Sequence, residues 1–442
     1  MHIQINEHFS YGKLVRFVIP SVIMMIFTSV YGVVDGLFVS NYAGKTSFAA
    51  VNLIMPFLMV LGTIGFMIGT GGNAIIAKKL GEGEKKTANE YFSMLVYSAM
   101  AIGIVLTIAG QIFLEKIAVM LGADGNMLTD CVAYGRIILF SLVGFILQNV
   151  FQNFLLTANK SQIGLAVTIA AGVANILLDF IFVGVMKMGI TGAAYATAIS
   201  QTIGGIFPLI YFILPNSSFL RLGKAKFQLS VFIQTCANGA SELMTNVSMS
   251  LVNMLYNYQL MKFAGEDGVA VYGVIMYVAF ISVSICIGYS IGTAPITAFN
   301  YGAENHAELK NIFRKSLVII SVSSIIIFLI SELSAPFLST VFVGYDKSLQ
   351  QMTKHAFRIY SISFLVSGFN IYSSSFFTAL GNGAVSAIIS FARTLLFQVV
   401  SVLVLPMIFD INGIWGSIIA AEILSLAVSI YFLVSKRKRY NY

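Results

Sequence analysis

Charge is what this sequence has least of. Asp, Glu, Lys and Arg make up 10% of its 442 residues, against about 25% in an ordinary soluble domain. A soluble fold could not cover its surface with so few charges, and a mean hydropathy of +0.87 excludes one. Cysteine is scarce as well. Cys131, Cys236 and Cys286 stand apart in apolar sequence, which excludes a disulfide framework and a CxxC metal site. The four histidines, His2, His8, His306 and His355, sit at the N-terminal end or at helix ends and form no HExxH motif or cluster. A Walker lysine motif is missing, so ATP is not the direct energy source. "GTGGNA" at 69–74 lies inside an apolar span rather than between a strand and a helix, which removes it as a phosphate loop. No Ser/His/Asp or Cys/His set marks an enzyme. The first apolar run continues as a full span without a small-residue cleavage site, so no removable signal peptide is read.

What the sequence does have is long apolar runs. A membrane helix takes roughly 20 apolar residues, and twelve spans are expected: 14–40, 48–77, 91–114, 131–157, 162–186, 190–214, 229–262, 269–299, 312–335, 355–380, 385–408 and 413–435. The runs are continuous rather than alternating, which excludes a β-barrel. An even count puts both termini on one side. The loops on that side hold 17 Lys and Arg, among them Lys78, Lys79, Lys85, Lys86 and the KRKR run at 436–439. The opposite loops hold 6. This positive-inside bias makes both termini cytoplasmic and accounts for the net charge of +8 without a nucleic-acid partner.

An internal repeat sets the architecture. Gly44, Gly71 and Gly81 recur as Gly265, Gly292 and Gly302, and "LLTA" at 155–158 recurs as "FFTA" at 376–379, all 221 residues apart. Arg136 recurs as Arg358, and "GITG" at 189–192 as "GIWG" at 413–416. The expected fold is therefore an all-α polytopic membrane protein. Its twelve transmembrane helices form two parallel six-helix lobes with pseudo-two-fold symmetry along the membrane normal. The expected lobes are 1–220 and 229–442, joined by a cytoplasmic linker at 221–228. Parallel-repeat bundles of this kind are a transporter design.

An ionised carboxylate in the hydrocarbon core costs about 2.5–3.5 kcal/mol on insertion scales, so it persists only when paired or useful. Four acids lie well inside spans, and a fifth, Glu332, sits near a span end where it can reach water. Asp35 follows Tyr31 by four residues, on one helix face. Gly32 and Gly36 allow close approach to that face, and Pro20 can bend the helix. Snorkelling to an interface is the alternative for Asp35. Asp179 shares a face with Asn175, while Ala193 and Thr197 share one in the next span. Carboxylate, amide oxygen, hydroxyl and carbonyl make a hard-oxygen set for a small cation; a proton would serve as well, and a polar helix–helix clamp is the alternative. Glu242 opens a polar stripe with Thr245, Asn246, Ser248 and Asn253, suited to a cationic substrate or a second cation. Glu422 has Arg393 as a structural partner in the preceding span.

Three segments together resemble the multidrug and toxic compound extrusion (MATE) family over nearly the full length. They are "VVDGLFVSNYAG" at 33–44, "NILLDFIFVGVMKMGITGAAYATAISQ" at 175–201 and "APITAFNYGAENH" at 294–306. The resemblance implies export of diverse, mainly cationic organic compounds, including drugs, from a bacterial cell. Export would be in exchange for inward H+ or Na+, by alternating access of the two lobes in the cytoplasmic membrane. It implies a coupling-cation site at Asp35, Asn175, Asp179, Ala193 and Thr197, with Tyr31 and Asn153 in the same polar network and Pro20 bending the first helix. The tenth span carries no acid to pair with Glu242, so Glu242 is assigned to substrate. No cofactor, no resident metal beyond a coupling Na+ and no obligate protein partner are expected. The rival readings are a lipid-linked oligosaccharide flippase of the same superfamily and a membrane-embedded enzyme. Arg136, Arg358 and Arg393 lining one cavity would favour the flippase.

Overall fold

The computed structural model describes residues 5, 7–42, 45–344 and 346–442; His2 and Gly44 lie outside them. Among the described residues every regular element is helical. Continuous helix is what the sequence requires, because backbone N–H and C=O groups in hydrocarbon find no water and must pair within the segment.

The first lobe holds α1 (Tyr11–Tyr42), α2 (Lys45–Gly81), α3 (Lys85–Met120) and a broken α4 (Gly125–Phe140 and Leu142–Thr157). α5 (Ser161–Val185) and α6 (Gly189–Ile213) complete it. Among the described residues nine helices are long and apolar enough to span a membrane alone, and the two arms of α4, bent by 52°, make a tenth span. The 74-residue helix Leu229–Gly302 would be roughly 110 Å long if straight. Instead it turns at Gly265, at φ 61° and ψ −149°, into α7 (229–264) and α8 (266–302). The two arms run back to back: the Tyr272 hydroxyl donates to Asn253 Oδ1 at 2.9 Å, and the Tyr256 and Tyr272 rings stack with centroids 5.0 Å apart. α9 (His306–Val343), α10 (Lys347–Ser361 and Phe364–Ala379), α11 (Gly383–Val404) and α12 (Pro406–Ser435) complete the twelve.

The repeat is visible in the turns. Gly83 and Glu304 both take a left-handed φ, as do Asn159 and Gly381, and Lys187 and Asp410, at separations of 221, 222 and 223 residues. The first two pairs close their helices with the same bond, from an N–H to the carbonyl five residues back. The bonds are Glu84 to Lys79, Asn305 to Asn300, Lys160 to Leu155 and Asn382 to Phe377. This closure satisfies carbonyls that a helix end leaves open. The breaks within α4 and α10, at Ser141 and at 362–363, correspond as well.

The apolar packing shows where the lobes meet. On the side of the termini the clusters mix the lobes. Phe9, Leu14, Phe17 and Val18 of the N-terminal segment and α1 pack with Tyr289, Ile296, Leu309 and Tyr372 of the second lobe. Val231 and Phe299 join the first-lobe core, and Ala77 packs with Ala298 and Ala379. Toward the far side each lobe keeps its own core. Ala50, Ile54 and Leu58 pack with Cys131 and Tyr134, whereas Val252, Tyr256 and Ile275 pack with Phe357 and Trp415. The two lobes are thus closed together near the termini and separate toward the far side.

Glycines make that closure possible. A Cβ on Gly71 of α2 would run into the Thr235 carbonyl of α7, and one on Gly239 into the Met67 carbonyl. Gly81 and Gly302 meet Phe299 and Lys78 backbone in the same way across α2 and α8. Glu308 adds a polar tie. Its carboxylate accepts from Phe9 N at 2.9 Å and Asn311 Nδ2 at 2.8 Å and lies 2.6 Å from His8 Nδ1. Lys315 Nζ donates to the Phe9 carbonyl at 2.6 Å.

Candidate functional site

Two polar sites lie inside the apolar bundle. The first is in the first lobe, where α1, α5 and α6 meet. Gly172 of α5 leaves room for α1, since a Cβ there would lie 2.9 Å from Tyr31 Cδ1. That approach lets Asp35, one turn beyond Tyr31, reach Asp179. The Asp35 carboxylate is within hydrogen-bond reach of Asp179, Thr197 and Asn175, and Thr197 Oγ1 lies 3.4 Å from Asp35 Oδ1. Asp179 is 0% exposed. Among the described residues neither of its carboxylate oxygens receives a protein hydrogen bond, nor does Asn175 Oδ1. Ala193 is fully buried against Val183 and Val51.

Immediately after Asp179, α5 widens into a π-helical turn, Phe180–Val185. Such turns occur disproportionately at functional sites. This one shifts the register of everything that follows the acid. Nothing in the residue pattern announces it.

The arrangement gathers two carboxylates, an amide oxygen and a hydroxyl, and none of its four residues carries a cation. Two adjacent carboxylates cannot both stay charged in a low-dielectric site, so a cation held between them is strongly favoured. Oxygen donors suit H+ or a hard alkali cation. Among the described residues there is no group of three or more His, Cys, Asp and Glu that could hold a transition metal.

Of the sequence-selected residues, Asp35, Asn175, Asp179 and Thr197 come together, and Tyr31 adjoins Asp35. Asn153 is placed elsewhere. It lines the seam between the lobes with Thr70, Asn73 and Glu242, and no hydrogen bond ties it to Asp35 or Asp179 among the described residues. Thr157, one turn on, bonds to Asn73. Pro20 sits inside α1 beside Ser21, the residue that α8 meets at Gly288 and Gly292. Tyr134 and Gln148 of α4 escaped the sequence reading. The Tyr134 hydroxyl donates to Met55 Sδ at 3.6 Å and lies near Thr197, and Gln148 adjoins Tyr31. A buried amide in the apolar run "FILQNVFQNF" could have flagged Gln148; one tyrosine among twenty could not flag Tyr134.

The second site is Glu242 on α7. It faces a small cavity of about 80 Å³ shared with Thr245, Ser290, Asn370, Ser374 and Arg393. The Glu242 carboxylate has no ion-pair or hydrogen-bond partner among the described residues. Arg393 is already engaged. It forks onto Glu422, with Nη2–Oε1 at 2.8 Å, Nε–Oε1 at 2.9 Å and Nε–Oε2 at 3.1 Å. Asn370 Nδ2 donates to Glu422 at 2.7 Å, and Ser429 donates to Asn370 at 2.9 Å. The Arg393–Glu422 pairing expected from sequence is present. Arg358 is exposed and lies 3.6 Å from Glu332, and Arg136 is exposed on α4.

Set against known proteins, the MatE family model matches twice, over residues 20–181 and 243–404. The chain belongs to the MatE family. The two matches begin 223 residues apart, at the spacing of the left-handed turns, so each half of the repeat carries one MatE match. The chain is 23% identical over 425 residues to the Multidrug export protein MepA of Staphylococcus saprophyticus subsp. saprophyticus, covering 94% of this chain and 92% of that one. It is 24% identical over 436 residues to that of Staphylococcus haemolyticus, covering 98% and 95%. A solved structure described as the outward-facing conformation of a multidrug resistance MATE family transporter of the MOP superfamily superimposes with a TM-score of 0.93. It is 21% identical and covers 99% of this chain and 97% of the other. The protein is thus a multi-pass membrane protein of the MatE family, with the fold of solved MATE transporters.

Proposed function

We propose that this MatE protein is a secondary antiporter. It exports mainly cationic organic compounds in exchange for H+ or Na+, by alternating access of its two lobes in the bacterial cytoplasmic membrane. The observation that carries the reading is Asp179: a wholly buried carboxylate beside a second one, with neither oxygen paired to a protein donor among the described residues. An uncompensated buried charge costs several kcal/mol, so the site is built for a cation that comes and goes. Asp35, Asn175, Asp179, Thr197 and the Ala193 carbonyl supply the oxygens in this reading, and Tyr31 orients Asp35. Glu242, unpaired at the seam between the lobes, attracts the cationic substrate. The first lobe spans 1–220, the second 229–442, and 221–228 links them on the cytoplasmic side, where both termini lie.

The lobes are closed near the termini and parted on the far side, which with cytoplasmic termini is the outward-facing state. Cation loading repacks α1 against α5 and α6 and weakens drug binding; drug leaves outward, and the loaded protein turns inward. Drug and cation then lower each other's affinity by the same factor. A flippase would need a cationic cavity for a pyrophosphate head. Arg136 and Arg358 are exposed, and Arg393 is neutralised by Glu422, which favours cationic cargo.

The test is uphill ethidium efflux from membrane vesicles with a Na+ gradient or a pH gradient imposed separately. Efflux driven by one gradient, and lost in both Asp35→Asn and Asp179→Asn at equal expression, is expected. Unchanged efflux in both variants would move coupling out of the first lobe.

A further inference from the structure

A cleft of about 440 Å³ opens between the start of α9 and the end of α12, on the side of the termini. Lys310, Arg314 and Arg437 stand at its mouth, and Leu317, Ile430 and Val434 form an apolar wall. No acid lines it. Lys310 and Arg314 make no hydrogen bond or ion pair among the described residues. Arg437 Nε donates to the Tyr442 carbonyl at 3.2 Å. Ile430 and Val434 are exposed, so the wall faces the bilayer.

The other half of the repeat shows what such a groove accommodates. Helices α3 and α9 correspond at a separation of 221 residues: the buried positions Ala88, Leu95, Ala99 and Gly103 match the buried positions Leu309, Ser316, Ile320 and Ser324. Lys310 then corresponds to Asn89, and Arg314 to Ser93. In the first lobe those two residues hold the chain leaving α6. Asn89 Oδ1 accepts from Arg221 N at 2.6 Å, Asn89 Nδ2 donates to the Phe219 carbonyl at 3.1 Å, and Ser93 Oγ accepts from Gly223 N at 3.0 Å. In the second lobe the chain leaving α12 packs Tyr442 on Phe313, ring centroids 4.9 Å apart, but among the described residues it makes no hydrogen bond to Lys310 or Arg314, and cations replace the small polar groups. The fold itself does not require those charges, because its other copy is built without them.

We propose that this cleft binds an anionic phospholipid of the leaflet on the side of the termini, with its phosphate headgroup on Lys310, Arg314 and Arg437 and an acyl chain along the apolar wall. Basic pockets between transmembrane helices at the cytoplasmic face are suited to anionic headgroups. A free phosphate would use the cations and leave the wall unfilled; a lipid uses both. The site is separate from the Asp35–Asp179 cluster and from Glu242. It lies beside the Glu308 tie to the N-terminal segment, because Glu308 and Lys310 share the first turn of α9.

Native mass spectrometry of the detergent-purified protein tests this, with phosphatidylglycerol or phosphatidylcholine added at equal concentration. Phosphatidylglycerol should be retained at least tenfold better. Lys310→Gln/Arg314→Gln/Arg437→Gln should abolish that preference, whereas the charge-matched Lys436→Gln/Lys438→Gln/Arg439→Gln, outside the cleft, should keep it. Should the triple variant not fold, Arg314→Ser, the residue that the first lobe carries at this place, should lower retention several-fold. Equal retention of the two lipids, equal loss in the charge-matched control, or retention unaffected in the cleft variants would overturn the proposal. Displacement of phosphatidylglycerol by millimolar inorganic phosphate would assign the cleft to a soluble anion and overturn it too.

Discussion

Asp179 and Glu422 are both buried carboxylates, 0% and 1% exposed, and their surroundings differ completely. Glu422 is held by the Arg393 fork and the Asn370 amide; Asp179 has no hydrogen-bond donor on either oxygen among the described residues. Removing one member of a buried pair leaves the other uncompensated, at a cost of about 3–5 kcal/mol. Arg393→Ala is therefore expected to lower the melting temperature in detergent sharply and to reduce expression. Asp179→Asn should do the reverse. It removes an unpaired buried acid, so melting temperature should hold or rise while coupled efflux falls to background. Loss of folding in Asp179→Asn would recast that acid as a structural clamp. The contrast was half legible from sequence. Asn175 and Asp179 share a helical face by spacing alone, and an arginine one span before Glu422 suggested a partner. Tyr134 was not legible, because its role depends on how α4 packs against α6.

At the level of elements, glycine and one acid decide how the helices meet. Gly71 and Gly239 let α2 and α7 touch backbone to backbone. Gly71→Leu should part them, since overpacking of this kind costs about 1–3 kcal/mol. A cysteine placed near the terminus-side ends of α2 and α7 should then label faster with a membrane-impermeant thiol reagent added on that side; unchanged labelling would show that the contact is not the closure. Glu308 is the second device. It fixes Phe9 and His8 to α9, and hydrogen bonds to a charged group contribute about 1.5–3 kcal/mol each. Glu308→Ala should speed backbone hydrogen exchange at residues 8–12 at least tenfold, with the rest of the bundle unaffected. Glycine recurrence at 71/292 and 81/302 could be read from the sequence as a repeat, but its purpose could not, because each contact joins helices more than a hundred residues apart. The π turn after Asp179 left no trace in residue type either. Hydropathy over 355–380 predicts one unbroken span, and the break at 362–363 lies between residues ordinary for helix.

For the molecule as a whole, the two-fold repeat is the organising fact. Twelve apolar runs, an even charge asymmetry and a 221-residue recurrence sufficed for two parallel six-helix lobes, because membrane spans and turn chemistry are local properties. Which end of the lobe pair is closed is a global property, and it emerged only from the mixing of apolar clusters near the termini. The same closure makes a prediction for the intact transporter. Spin labels on the far ends of α1 and α7 should report a broad separation that shortens when the lobes turn inward, whereas labels at the terminus-side ends of α2 and α8 should move apart. Motion in the same direction at both ends would contradict rocking about a central axis.

The most direct test of the central claim is the affinity of purified protein for ethidium, followed by fluorescence anisotropy while proton and Na+ concentrations are varied independently. If Asp35 and Asp179 hold the coupling cation, ethidium affinity falls as one of the two cations rises, and becomes independent of it in Asp35→Asn and Asp179→Asn. A cation dependence that survives unchanged in both variants would contradict the account.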